Sequence, residues 1–170
     1  MTASNITQEL LKEKLTYNHK SGLFYWNYTK RRITKGELAG SDIGNGYIGI
    51  QINKKRYLAH RLAWLYMTGT FPEKCIDHIN HITDDNRWEN LREVTVIENQ
   101  QNASKRVDNK SGVTGVIWSK RDNRWTAQIT VDKKRVHLGS FVEFSEAVNA
   151  RKNAEVLYGF HENHGKERIA

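Results

Sequence analysis

Cys75-Ile76-Asp77-His78-Ile79-Asn80 is the stretch on which the reading of this chain turns. It sets a carboxylate and an imidazole side by side at the end of a strand-sized run, and Asn86, Asn90, Asn99 and Asn102 follow it. Such a set suits one divalent cation. Mg²⁺ prefers oxygen ligands, keeps several of its waters, and takes one or two protein groups beside a substrate phosphate. An Asp carboxylate and an Asn carbonyl meet that demand. A neighbouring neutral histidine, whose ordinary pKa lies near about 6.5, can take a proton from water at neutral pH. Spacing alone leaves a plainer alternative open, because asparagine clusters also mark turns.

Working outward, Leu91 to Val94 is a second short strand-like run, and Thr95 with Glu98 has capping-box spacing, so a helix is expected to start there with Asn99 in its first turn. Upstream, Ile48, Ile50 and Ile52 alternate along Tyr47 to Ile52, Asn53-Lys54-Lys55 turns, and Arg56 to His60 returns, which predicts a hairpin. Arg61 to Met67 reads as a short helix stopped by Gly69, and the one proline, Pro72, follows as a boundary. Leu10 to Leu15 has helical spacing, Leu23 to Trp26 reads as a strand, and residues 28–45 read as a charged loop containing Lys30, Arg31, Arg32 and Lys35.

Beyond Ala103 the apolar period stops. Residues 104–112 are polar and charged and are read as a linker. Three strand-like runs follow within residues 114–141, then a helix from about Ser145 to Tyr158, with Ser145 as N-cap, a packing stripe of Ala147, Ala150, Ala154 and Leu157, and Gly159 as the stop. In the middle run Trp125, Ala127, Ile129 and Val131 alternate with Arg124, Thr126, Gln128 and Thr130, so one face buries on the helix and the other stays polar. Arg135 and His137 extend that polar face.

Charge is concentrated here. The 170 residues hold 27 Lys plus Arg against 19 Asp plus Glu, a formal +8. Residues 104–142 alone hold nine basic residues against three Asp, a net +6. A charged strand face is commonly just solvated, but a basic, polar ribbon also fits a major groove. Hydrophobic residues make up 38% while Trp, Tyr and Phe number 5, 7 and 5, so small folded cores are expected rather than disorder. No long apolar run or signal-peptide pattern is present, and the lone Cys75 makes no internal disulfide, so an intracellular, non-membrane protein is expected.

Tyr57-Leu58-Ala59-His60-Arg61-Leu62-Ala63-Trp64, Asp77-His78-Ile79-Asn80, Asp85-Asn86-Arg87, Glu89-Asn90-Leu91-Arg92 and Glu98-Asn99-Gln100-Gln101-Asn102 together resemble the HNH endonucleases of phages and phage introns, over about residues 15 to 103. The resemblance implies a β-hairpin and helix around one metal, and cleavage of DNA. It makes Asp77 the first metal ligand, Asn99 the second, His78 the general base, and Asn90 the residue that holds the loop and orients that base. Arg61 and Arg87 are expected among the DNA contacts. His60 stands in the family's His-Arg pair, read either as a packed histidine or as a DNA contact, and His81 is read either as a phosphate contact or, in preference, as a solvated loop residue. Asn99 stands where many members have His, and paired-cysteine zinc knuckles are absent, which favours Mg²⁺, with Mn²⁺ as a substitute, over zinc.

Thr114-Gly115-Val116, Arg124 to Ile129, Arg135-Val136-His137-Leu138-Gly139-Ser140-Phe141 and Glu146-Ala147 with Ala150-Arg151 resemble the AP2-type DNA-binding domain over about residues 112 to 160. That resemblance implies a three-stranded sheet laid in the major groove, with Arg124, Thr126, Gln128, Thr130, Lys133, Lys134, Arg135 and His137 at the DNA. Trp125 is expected in the core, and Trp118 is left open between core and nucleic-acid contact.

The expectation is therefore an α+β chain: residues 1–103 an N-terminal β region and ββα-metal nuclease module, residues 104–112 a linker, residues 113–170 a three-stranded antiparallel sheet on one helix. It is expected to act as a monomer that nicks double-stranded DNA, as homing or mobile-element nucleases do, in the cytoplasm of a phage-infected bacterium. The alternative is a sequence-specific DNA-binding regulator with a non-catalytic HNH-like module. An RNA-directed nuclease is disfavoured, because A-form RNA closes its major groove to such a sheet.

Overall fold

A computed structural model describes residues 6–166. They divide into two compact units, with the division in the sequence between Thr95 and Val96.

The first unit begins with α1 (Gln8–Lys14), capped by Thr7, whose hydroxyl accepts from the Leu10 N–H at 3.3 Å. Its Leu11 and the following Leu15 are fully buried. Strands β1 (Leu15–Asn18) and β2 (Leu23–Trp26) form a hairpin in the register Leu15 opposite Trp26. The turn is set by Asn18, whose side-chain oxygen accepts from the N–H groups of Lys20 and Ser21, and by Gly22 at φ +76°. A side chain at Gly22 would lie 2.5 Å from the backbone of Asn86 and Arg87, so the turn can sit there only without a Cβ.

The segment read as a charged loop is not wholly irregular. It contributes β3 (Ser41–Asp42), which pairs with β4 (Ile48–Ile52), and β4 pairs in turn with β5 (Lys55–Leu58). The hairpin turn lies at Asn53-Lys54, both at positive φ, the handedness that matches strand twist. The returning strand is shorter than the alternation suggests: Ala59 and His60 belong to α2 (Ala59–Thr68) rather than to the strand. The helix starts early because that lets it bury Ala59 and His60 on the same face as Leu62, Ala63 and Leu65, and it ends at Gly69, whose N–H bonds to the Leu65 carbonyl. β6 (Cys75–His78) and β7 (Leu91–Val94) complete the unit as an antiparallel ribbon.

The second unit holds α3 (Val96–Gln101), β8 (Val116–Ser119), β9 (Arg124–Val131), β10 (Lys134–Phe141) and α4 (Phe144–Leu157). The strands form an antiparallel sheet in the order β10-β9-β8, and α4 packs on it. Backbone bonds from His161 to Gln101, Gly165 to Ala103 and Lys105 to Lys166 tie α3 and the chain after it to the C-terminal segment. Residues read as linker include a built turn, in which Asn109 and Ser111 both bond to the Val113 carbonyl.

Two expectations for α4 need correction. Glu143, not Ser145, occupies the N-cap position, since the helix already includes Phe144, whose ring packs on Trp125 at 4.7 Å. Leu157 is 78% exposed, and the buried stripe is Ala147, Arg151, Ala154 and Glu155. The reason is local: β8 ends its pairing at Ala127, so the Gln128 carbonyl lacks a strand partner and takes the Arg151 guanidinium at 2.8 Å. Among the described residues no helix is long and apolar enough to cross a membrane.

A candidate active site on a two-stranded ribbon

The pairing of β6 with β7 places Asp77 opposite Arg92 and His78 opposite Leu91. Arg92 uses the pairing: its Nε and Nη2 both donate to Asp77 Oδ2, at 2.9 and 2.8 Å. The pair is enclosed, with Asp77 buried and Arg92 half-buried.

His78 is buried beside it, and its Nε2 lies 3.2 Å from Asn86 Oδ1. The Asn86 amide is oriented by its own Nδ2, which donates to the Asp84 carbonyl at 3.0 Å, so the oxygen faces the imidazole. With that oxygen as acceptor, the bond is donated from Nε2. Burial lowers the pKa of His78, while the Asn86 bond and the charges of Asp77, Asp85 and Asp84 act in the opposite direction. His60 presents its ring edge-on at 5.1 Å, and Tyr47 packs against both imidazoles, 5.5 Å from His60 and 6.0 Å from His78. Burial first, then the neighbouring His78 and Arg61, push His60 down to about 3. Both imidazoles are thus kept in their uncharged form.

Asn90 knits the loop between the strands. Its side-chain oxygen accepts from the Asn80 N–H at 3.0 Å, its Nδ2 donates to the Asp85 carbonyl at 2.8 Å, and its own carbonyl takes the Ile79 N–H at 3.0 Å. Asn80 in turn donates to Asp85 at 2.6 Å. The loop is also braced from the first hairpin: the Tyr17 hydroxyl donates to the Asn86 carbonyl at 2.6 Å, and the Trp88 N–H to the His19 carbonyl at 3.0 Å.

Asp77, His78 and Asn90 are therefore gathered in one place. Arg61 donates to the carbonyls of Pro72 and Lys74, and Arg87, its side chain 42% exposed, pairs with Asp85 and Glu89. His60 is packed, and His81 is a half-buried loop residue at φ +67°. Asn99 is exposed on α3, in the second unit. On the sheet, Arg124, Thr130, Lys133, Lys134, Arg135 and His137 are exposed, and Thr126 and Gln128 half-buried. Two residues were not singled out from the sequence: Arg92, whose signal is its place opposite Asp77 once the ribbon register is set, and the orienting role of Asn86.

Among the described residues no group of three or more His, Cys, Asp and Glu side chains gathers as a metal cluster. A Mg²⁺-type ion does not require one, and its chemistry fits an oxygen donor such as the Asp77 carboxylate.

Residues 57–101 match the family model described as HNH endonuclease. The matched segment runs from β5 to the end of α3 and includes Asp77, His78, Asn86, Asn90, Arg92 and Asn99. No curated protein and no solved structure gives a significant match to the chain. The segment match points to a nuclease or DNA-binding role, with DNA as the substrate.

Proposed function

We propose that this chain is a metal-dependent endonuclease that hydrolyses phosphodiester bonds in double-stranded DNA and nicks one strand. The observation that carries the reading is the neutral, oriented His78 beside the Asp77 carboxylate, inside the segment that matches HNH endonucleases. His78 is the general base: its imidazole takes a proton from the attacking water, and the Nε2 contact with Asn86 holds the ring through the transfer. Asp77 and, by its place in the motif, Asn99 would hold the divalent cation, Mg²⁺ or Mn²⁺. When bound, that ion supplies positive charge to the scissile phosphate and the leaving 3′ oxygen. Arg92 orients Asp77, and Asn90 holds the loop that carries His78's partner.

The second unit, read as an AP2-like sheet, positions the duplex through Arg124, Thr126, Gln128, Thr130, Lys133, Lys134, Arg135 and His137. One catalytic centre breaks one strand, so a monomer nicks. A homing or mobile-element role rests on the resemblance of the two halves together.

A second reading, a DNA-binding regulator, draws support from the engagement of Asp77 by Arg92, which a structural ion pair also explains. One assay separates the two. Supercoiled plasmid is incubated with the protein and Mg²⁺, with EDTA, and with His78→Ala. Open circles that need metal and vanish in the variant are expected. Binding without cleavage by the unaltered chain, on plasmid and on phage and host genomic DNA, selects the regulator.

A further inference from the structure

Trp118 has no part in the function proposed above. In the sheet register it stands directly opposite Trp125, so both rings lie on the face that carries α4. Phe144 covers Trp125, but Trp118 lies on the edge strand and stays 44% exposed, its ring edge-to-face with Trp125 at 5.2 Å. It is thus neither a core residue nor a member of the polar reading face.

A cleft of about 390 Å³ opens over it, lined by Ile117, Trp118 and Trp125 and by the charged residues Lys110, Lys120 and Asp108. One wall is the built turn after Asn109, where Gly112 N–H and the Ser111 hydroxyl bond to the Asn109 side chain. The cleft joins an aromatic, apolar floor to a polar rim, and has the size of a small-ligand site.

Its charge is net positive, two lysines against the one carboxylate of Asp108. Lys110 and Lys120 are exposed and make no ion pair among the described residues, whereas the nearby acids are already engaged, Asp108 by Arg106 and Asp122 by Arg121. A flat π surface sharing a cleft with unpaired cations suits a flat aromatic ring attached to an anion. A nucleobase in a duplex has both faces covered by its neighbours, so only an unpaired base can offer one.

We propose that this cleft binds an unpaired nucleobase of single-stranded DNA, with Trp118 as the stacking platform and Lys110 and Lys120 at the flanking phosphates. This site lies on the opposite side of the sheet from the duplex-reading residues and does not depend on whether the first unit cleaves.

The test uses the full chain in EDTA and three labelled probes: a twelve-nucleotide oligothymidylate, a strand of the same length made of abasic sites, and a duplex. Trp118→Ala should weaken oligothymidylate binding by about 5- to 150-fold, the range for losing one stacked base, while leaving the abasic strand and the duplex nearly unchanged. Trp118→Phe, which keeps a ring, should retain most of the affinity. Lys110→Ala combined with Lys120→Ala, at exposed positions, should lower oligothymidylate affinity and flatten its salt dependence. The proposal is overturned if Trp118→Ala binds oligothymidylate as tightly as the unaltered chain, or if the unaltered chain binds the abasic strand equally well. Loss of self-association on sedimentation, with oligothymidylate binding unmoved, would overturn it too and assign the cleft to a second copy of the chain.

Discussion

The first unit gathers His60, Asp77, His78, Asn86 and Asn90 around one ribbon, beside a core that contains Phe24, Leu11, Leu15, Ile50 and Leu62. The second buries Arg151, Glu155 and His164 beneath a sheet whose clustered core is Val116, Ala127 and Ala147. Arg151 there serves as structural filling: it donates to Glu155, to the Gln128 carbonyl and to the His164 ring. A large apolar core can hold polar groups still for chemistry. A thin one recruits polar groups to hold itself together, and leaves its remaining charge at the surface.

The sharpest way to break this contrast is at His78. His78→Ala should lower cleavage by about 10²- to 10⁴-fold, the usual worth of a general base, with duplex affinity and melting temperature kept. Loss of folding without a specific loss of rate would make His78 as structural as Arg151. Next comes Arg151→Met, which leaves Glu155 buried without its main partner and should cost the second unit about 3 to 5 kcal/mol. Amide exchange of β9 should read that loss while β4 keeps its protection. Third, Arg124→Ala or Arg135→Ala on the exposed face should weaken specific duplex binding by about 1 to 3 kcal/mol and leave the rate of bound DNA unchanged. Titration of a labelled duplex, followed by single-turnover cleavage, separates the two effects.

The smallest effect is set by pH. His60 titrates near 3 in the fold and near 6.5 when unfolded, so the unfolded chain binds the extra proton as pH falls. The stability His60 contributes is complete above about pH 6.5 and is lost downward towards pH 3, amounting to about 2 kcal/mol between pH 7.5 and pH 5. His164, held down to about 4 by burial and by Arg151, gives the second unit the same sign. Denaturant midpoints of the two units across that window should fall together, and His60→Gln should flatten only the first.

Much of this was legible because period and turn chemistry agree. The Ile48, Ile50, Ile52 alternation and Asn53-Lys54 announce the β4 and β5 hairpin, and the opposed faces of β9 follow from its alternation. β3 was not, because Ser41-Asp42 pairs through backbone alone and offers no apolar pattern. The α4 stripe misled because Arg151 is buried by a carbonyl that a neighbouring strand left unpaired, a fact of sheet length rather than of helix period. In the site, Asp77, His78 and Asn90 stand in a recognisable string, but Arg92 enters through strand register and Asn86 through the direction of one amide, neither of which spacing reveals.

Gly22 closes the account of that site from underneath. The turn it permits lies against the backbone of Asn86 and Arg87, with Tyr17 and His19 bonded to the same loop. The matched stretch of residues 57–101 is therefore not a portable cassette. Its foundation is laid some sixty residues earlier in the chain, and transplanting the string alone would carry the reacting groups away without the footing that keeps them in place.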